Sequence, residues 1–134
     1  MSLVGGVTGP VRAWLRLEGL AVLVASVALY AQLDGGWGRF ALLFLAPDLS
    51  FLGYAAGPRR GAAVYNAAHS YLGPLLLALA GVTGDPGALL PYALIWTAHI
   101  GFDRLLGYGL KYPTSFHDTH LGRIGPRAAD ERRP

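Results

Sequence analysis

Four apolar stretches, each about as long as a bilayer is thick, constrain the fold of this chain more than any other feature. They cover residues 11–31, 37–56, 61–82 and 87–109. A helix needs about 20 apolar residues to cross the hydrocarbon core of a membrane. The segments LDGG, GPRRG and TGDPG separate the stretches, and such clusters are typical of turns. The pattern predicts an all-α membrane bundle of four transmembrane helices.

The composition agrees with a surface that faces lipid. Hydrophobic residues make up 53% of the 134 residues and charged residues only 14%, whereas soluble domains carry about 25% charged residues. A soluble bundle of buried helices is the alternative, but four helices this apolar leave few polar faces for water. The chain has no cysteine, which excludes a disulfide framework and a thiolate site.

Arginine and lysine predict the orientation. Basic residues flank the first stretch, occupy the second loop and fill the C-terminal tail, whereas the other two loops share a single arginine. The positive-inside rule therefore places both termini and the second loop in the cytoplasm. The residues concerned are Arg12, Arg16, Arg59, Arg60, Lys111, Arg123, Arg127, Arg132 and Arg133 on the inside, and Arg39 on the outside.

The same pattern predicts partners and location. We interpret the net charge of +3 as contact with anionic lipid headgroups, so membrane lipids are the expected partners and no nucleic-acid partner is expected. The excess of arginine over lysine, together with abundant alanine, glycine and leucine, is typical of a GC-rich bacterial genome. The expected location is the bacterial inner membrane, and the sequence leaves the oligomeric state open.

The ends of the chain are expected to lie outside the bundle. Residues 1–10 form an N-terminal tail, residues 11–109 the transmembrane domain, residues 110–125 a cytoplasmic interfacial segment and residues 126–134 a disordered tail. Pro113 is expected to end the fourth helix, because proline disfavours the helical conformation in the residue before it.

Ionisable groups inside the apolar stretches are the strongest functional signal. With a rise of 1.5 Å per residue, all of them fall roughly 9–15 Å below the cytoplasmic surface. His99 and Asp103 are four residues apart and share a helix face. Charges inside a membrane cost on the order of 3 kcal/mol each, so these groups are expected to face one another. The layer contains Glu18, Asp48, His69, His99 and Asp103.

The residue types in this layer suit a divalent metal ion. Zinc, manganese and iron all accept imidazole nitrogen and carboxylate oxygen, which makes Asp48, His69, His99 and Asp103 candidate ligands. Glu18 is a candidate catalytic residue, as a general base or a fifth ligand. The alternative is a structural cluster, in which the histidines are hydrogen-bonded packing residues and Asp103 pairs with its neighbours.

A second group of polar residues follows the fourth stretch. Phe116 to His120 reads FHDTH, which offers two imidazoles and a carboxylate. His120 is a candidate catalytic residue that folds back under the bundle and faces the polar layer. His117 is expected to face water. The alternative is an interfacial segment whose polar groups contact lipid headgroups.

Several of these motifs together resemble a known family. They are RLEG, APDLSFLGY, YNAAHSYLGP and HIGFDRLLGYGLKYP followed by DTHLG. The chain resembles, over residues 15–125, the small bacterial membrane family catalogued as domain of unknown function 4260. This resemblance implies a multi-pass membrane protein without an assigned activity.

A looser resemblance links the same positions to hydrolysis. Inner-membrane proteins described as metal-dependent hydrolases carry a Pro-Asp pair, then HRG, then THS, then a late His and Asp on one helix. This chain is similar at Pro47 and Asp48, and at His69, His99 and Asp103, and the resemblance implies that these histidines and aspartates bind the metal. Arg59 stands where that pattern has a histidine.

Two classes of function follow. The first is a membrane-embedded hydrolase that acts on a lipid-linked or cytoplasmic substrate. The second is a non-enzymatic membrane protein, such as a small carrier, a proton relay or an assembly factor, whose polar layer binds an ion or holds the bundle together. The outer halves of the stretches are almost purely apolar, which favours a pocket open only to the cytoplasm.

Overall fold

The computed structural model describes residues 6–124, and helices dominate this part of the chain. The all-α prediction is therefore confirmed in outline, although two strands of two residues each follow the last helix. In chain order the elements are α1 (Gly9–Ala31), α2 (Trp37–Phe44), a 3-10 segment (Ala46–Ala56), α3 (Pro58–His69), α4 (Leu72–Thr83), α5 (Pro86–Leu106), β1 (Asp118–Thr119) and β2 (Gly122–Arg123).

Two helical stretches in the described chain are long and apolar enough to cross a membrane. They are Gly9–Ala31 and Trp37–Ala56, the latter made of α2 and the 3-10 segment. The helix α5 has 21 residues, but the polar side chains near its end lower its mean hydropathy. Four spans and cytoplasmic termini stay predictions. The predicted tail over residues 126–134 lies outside the described residues, as do residues 1–5.

A proline changes the helix type inside the second apolar stretch. Pro47 has no backbone N–H and its ring clashes with the carbonyl four residues earlier. The α-helix ends at Phe44, and Asp48 N–H donates to the carbonyl of Leu45 at 3.0 Å, in the 3-10 pattern. The backbone thus tightens where the carboxylate of Asp48 is presented.

The third apolar stretch is two helices, which corrects the prediction of one helix over residues 61–82. The helix α3 ends at His69, and Ser70 has extended backbone angles. Pro74 explains the break, because it cannot donate to the carbonyl of Ser70 and crowds it. Ser70 N–H makes the last α3-type bond to Asn66 at 2.8 Å. The break leaves the carbonyl of His69 free for another donor.

The fourth helix ends earlier than the sequence predicted, and the chain after it folds back on the bundle. Gly107 has φ 91° and terminates α5 in the left-handed conformation that glycine tolerates, six residues before Pro113. The strands β1 and β2 then pair as an antiparallel hairpin, and Lys111 forms a bridge to Thr119. Lys111 and Thr119 are both buried, so the segment over residues 110–124 contributes buried side chains as well as exposed ones.

The helix α5 is the central element, since it packs against α1, α2 and α4, while the 3-10 segment packs on α3. Two glycines let the backbones of α1 and α5 touch. A Cβ on Gly19 would lie 2.8 Å from the carbonyl oxygen of Gly101, and a Cβ on Gly101 would lie 2.9 Å from that of Gly19. Small residues permit such close packing between helices in membranes.

This contact gives a test of the fold. We expect Gly19→Leu to lower the free energy of unfolding by on the order of 1–3 kcal/mol, because the side chain forces α1 away from α5. Thermal unfolding of purified protein in detergent measures it. Gly38→Ala is the matched control, since a Cβ there meets nothing within 4 Å and helical alanine is favoured over glycine. Equal melting temperatures for the two variants would contradict the packing described.

Candidate metal centre

Four side chains from three segments meet at one point. Asp48 comes from the 3-10 segment, His69 is the last residue of α3, and His99 and Asp103 lie one turn apart on α5. One ligand atom of each lies within 4.8 Å of the other three. The structure thus brings together the four residues proposed as ligands from the sequence, and their binding of a metal stays a prediction.

The distances between the donor atoms suit a small ion. Asp48 Oδ1 lies 3.2 Å from His69 Nε2 and 3.3 Å from His99 Nε2. Asp103 Oδ2 lies 3.4 Å and 3.2 Å from the same two nitrogens, and these nitrogens are 3.2 Å apart. Tetrahedral ligands about 2.0–2.1 Å from zinc are separated by about 3.3–3.4 Å. Five of the six pairs of donor atoms therefore have the spacing of a tetrahedral ligand set, and the sixth pair, the two carboxylate oxygens, lies within 4.8 Å.

A backbone contact places the proton of the neutral His69 ring on Nδ1. His69 Nδ1 lies 2.9 Å from the carbonyl oxygen of Tyr65, and a carbonyl only accepts, so Nδ1 carries the proton. The neutral ring then presents the lone pair of Nε2 to the centre. Histidine ligands of metals commonly bind through one nitrogen while the other donates to a carbonyl or carboxylate. The alternative is a protonated His69 that donates from Nε2 to Asp48.

The contact between the two histidines has a different meaning in each arrangement. His69 Nε2 and His99 Nε2 face each other and also face both carboxylates. In a hydrogen-bonded cluster, at least one of these nitrogens must carry a proton. With a cation between them, both present lone pairs and the two negative carboxylates are neutralised. The geometry accommodates either arrangement.

Aromatic rings hold the imidazoles in place. The ring of Tyr65 stacks on His69 with centroids 3.8 Å apart, and Phe44 packs edge-on against His99 at 5.4 Å. His99 Nδ1 is buried and makes no hydrogen bond of good geometry, although the carbonyl of Phe44 is the backbone group that interacts with this ring. Packing therefore orients the ring of His99, whereas a hydrogen bond orients the ring of His69.

The centre is open on one side. The side chains of His69 and His99 are 3% and 1% exposed, and that of Asp103 is 14% exposed, but that of Asp48 is 35% exposed. Among the four side chains, that of Asp48 is therefore the most accessible.

Glu18 and His120, the candidate catalytic residues, do not join this cluster. They line a separate cavity of about 120 Å³ together with Tyr71 and Arg104. His120 Nδ1 accepts from the N–H of Leu110 at 2.8 Å, and Nε2 lies 3.0 Å from Arg104 Nη1. Burial and the nearby guanidinium lower the pKa of His120, so it is held neutral. His117 is exposed.

Arg104 connects this second cavity to the centre. Its Nη2 donates at 3.1 Å to the carbonyl of His69, the group left free by the break after α3. The same guanidinium lies 5.6 Å from the centroid of the Tyr71 ring. The sequence analysis did not predict this role, because the carbonyl of His69 is free only where the third apolar stretch is interrupted. The Gly-Pro pair at residues 73 and 74 was the signal for that interruption.

Two further supporting residues were not singled out from the sequence. Tyr65 lies one turn before His69, a spacing that predicts a shared helix face. Lys111 is buried, with Nζ 3.5 Å from the centroid of the Phe116 ring and 4.7 Å from that of Tyr65. Burial lowers the pKa of Lys111 to about 8. Nothing local in the sequence pairs Lys111 with Tyr65, since the contact depends on the chain folding back.

Comparison with known proteins gives one relationship. No curated protein and no solved structure matches the chain closely enough to indicate kinship. A family model described as a domain of unknown function, DUF4260, matches residues 12–124. The match spans most of the chain and includes all four residues of the cluster, which agrees with the resemblance seen in the sequence motifs. The protein therefore belongs to the DUF4260 family.

Proposed function

We propose that this protein is a multi-pass membrane protein that binds a divalent metal ion through Asp48, His69, His99 and Asp103 and uses it in hydrolysis. One observation carries the proposal: four acceptor atoms from three segments converge at the spacing of metal ligands, and the Tyr65 carbonyl directs the Nε2 lone pair of His69 into the same point. The metal belongs to the group of zinc, manganese and iron.

The surface supports a membrane location. Large apolar side chains are exposed on every long helix, among them Trp14, Leu42, Leu75 and Leu76, which are 66–79% exposed. Patches of this extent mark contact with lipid or with another protein. In this proposal the four stretches cross the inner membrane, with both termini and the loop containing Arg59 and Arg60 in the cytoplasm.

The residues around the centre have different roles in the proposed hydrolysis. A bound divalent metal would supply Lewis acidity and lower the pKa of a coordinated water. Asp48, the most exposed of the four, faces the approaching substrate and is placed to accept a proton from the attacking water. His69 and His99 are buried and fixed by packing, and the side chain of Asp103 is only 14% exposed, so these three residues hold the geometry. Cleavage adds the hydroxyl of water to the electrophilic atom and its proton to the leaving group.

A non-enzymatic metal protein is the second candidate. Two observations favour it. Four protein ligands in a tetrahedral arrangement are typical of structural sites, whereas catalytic zinc sites use three and keep a position for water. In addition, the carboxylate of Glu18, which suits a general base, lies in a different cavity. In this case the ion ties the 3-10 segment and α3 to α5.

Metal content tests both candidates against a purely hydrogen-bonded cluster. We expect the purified protein to carry one divalent ion per chain by elemental analysis. His69→Ala and Asp48→Asn are expected to lose it, because each removes a donor atom or weakens one. His117→Gln is the matched control, since this histidine is exposed and remote from the cluster. A protein without metal after metal-supplemented purification would contradict the proposal.

Coordination number separates the enzyme from the structural site. We expect cobalt(II)-loaded protein to show the weak visible absorption of five or six ligands if water completes the site, because Asp48 leaves one side open. Intense absorption from a four-coordinate ion, unchanged by added anions, would instead favour the structural site. Asp48→Asn should alter this spectrum far more than Glu18→Gln, since only the former faces the donors.

The membrane topology has its own test. We expect a cytoplasm-active reporter fused after Pro134 or inserted at Arg60 to be active, and the same reporter inserted at Asp34 or Asp85 to be inactive. The reason is the distribution of arginine and lysine. Activity at Asp85 and none at Pro134 would show the opposite orientation. Uniform activity at all four positions would contradict the proposed membrane location.

A further inference from the structure

An apolar groove of about 270 Å³ adjoins the metal centre. The 3-10 segment and the helices α2 to α5 all contribute to it, and its lining is nearly free of polar atoms. The residues that shape it are Ala46, Pro47, Ala68, Leu77, Ile95 and Trp96. The cavity described above with Glu18 and His120 is a different one, lined by α1 and the C-terminal segment.

The groove and the centre are built by the same turns of the chain. Pro47 directly precedes Asp48, and Ala68 directly precedes His69. Ile95 lies one helical turn before His99 on α5. The residues directly before Asp48 and His69, and a residue one turn before His99, thus line the groove, and Asp48 is the most exposed of the four proposed ligands.

Small residues and one indole create the hollow. Ala46 and Ala68 leave space between the segments, and Trp96 forms a wall. Trp96 Nε1 donates to the carbonyl of Ala68 at 2.6 Å, so its only polar atom is occupied and its ring presents an apolar face. Gly73 makes this placement possible, because a Cβ there would lie 2.3 Å from the indole.

The dimensions suit an extended chain. Tyr92 also lines the groove, and it lies seven residues before His99 on α5. This corresponds to about 10 Å along the helix axis. The α5 part of the lining therefore begins one turn from His99 and reaches Tyr92, which is 42% exposed, and this leaves room for a longer chain to continue past it.

We propose that this groove binds one hydrocarbon chain of an amphiphilic substrate whose polar head lies at Asp48. The lining makes dispersion contacts with a hydrocarbon chain and provides almost no hydrogen-bonding partner for a polar ligand. Because the residues directly before Asp48 and His69 line the groove, a chain bound there would place its polar head next to the four donor atoms. The assignment rests on the proposed function, since it names the class of substrate for that site.

Quenching of Trp96 fluorescence by a single-chain detergent brominated near its head tests the groove. Trp14→Phe and Trp37→Phe leave Trp96 as the only tryptophan, and both replaced residues are exposed. We expect saturable quenching in protein reconstituted in bilayers. Ala46→Phe should weaken the apparent binding at least about tenfold because its ring fills the groove, and Ala46→Leu should weaken it less.

Ala28→Phe is the control, since Ala28 is exposed on α1 and away from the groove. It should bind the brominated chain as the parent does. Quenching that rises linearly with the detergent and is equal in the Ala46 and Ala28 variants would show only annular lipid and overturn the groove assignment. If Ala46→Phe does not insert, the milder Ala46→Leu decides the same point.

Elemental analysis of the same samples separates the two proposals. Saturable quenching together with bound metal supports both. Saturable quenching in a protein that never holds metal keeps the groove and overturns the metal-dependent function. Bound metal with linear quenching keeps the centre and overturns the groove.

Discussion

The cost of placing ionisable groups in apolar helices governs this molecule. A carboxylate or imidazole that faced lipid would cost several times thermal energy, so these groups must find one another. Asp48, Asp103, His69 and His99 do so through contacts of 3.2–3.4 Å. The helix α5 supplies two of the four and lies at the centre of the fold, where α1 approaches it closely enough to require glycine at both positions of contact.

Interrupted helices make the cluster possible. An unbroken helix presents each side chain along a fixed spiral, whereas Pro47 and Pro74 end helical geometry beside Asp48 and His69. Interrupting a helix frees backbone groups that need new partners. Arg104 satisfies the freed carbonyl of His69, and Asp48 N–H donates to the carbonyl of Leu45 in the 3-10 pattern. The apolar groove is lined by Pro47 and Ala68. The breaks that build the ligand set also build the proposed path to it.

Depth and periodicity predicted part of this arrangement. The shared face of His99 and Asp103 follows from their spacing alone, and the layer of polar groups follows from counting residues inward from the turns. Depth does not specify a helix face, however, which is why Glu18 was grouped with the others. Gly19 is the residue that touches α5, and Glu18, one position away, faces the cavity with Arg104 instead. The hairpin after α5 was not foreseen, because strands of two residues leave no periodic signal.

The C-terminal segment is coupled to the centre through a short chain of contacts. Asn66 binds both backbone groups of Lys111, donating to its carbonyl at 2.8 Å and accepting from its N–H at 2.7 Å. The amine of Lys111 lies over the ring of Tyr65, and this ring also stacks on the imidazole of His69. Tyr65 also provides the carbonyl that sets the tautomer of His69. A residue outside the four apolar stretches therefore packs against the ring that stacks on a proposed ligand, and the fold-back of the chain after Gly107 brings it there.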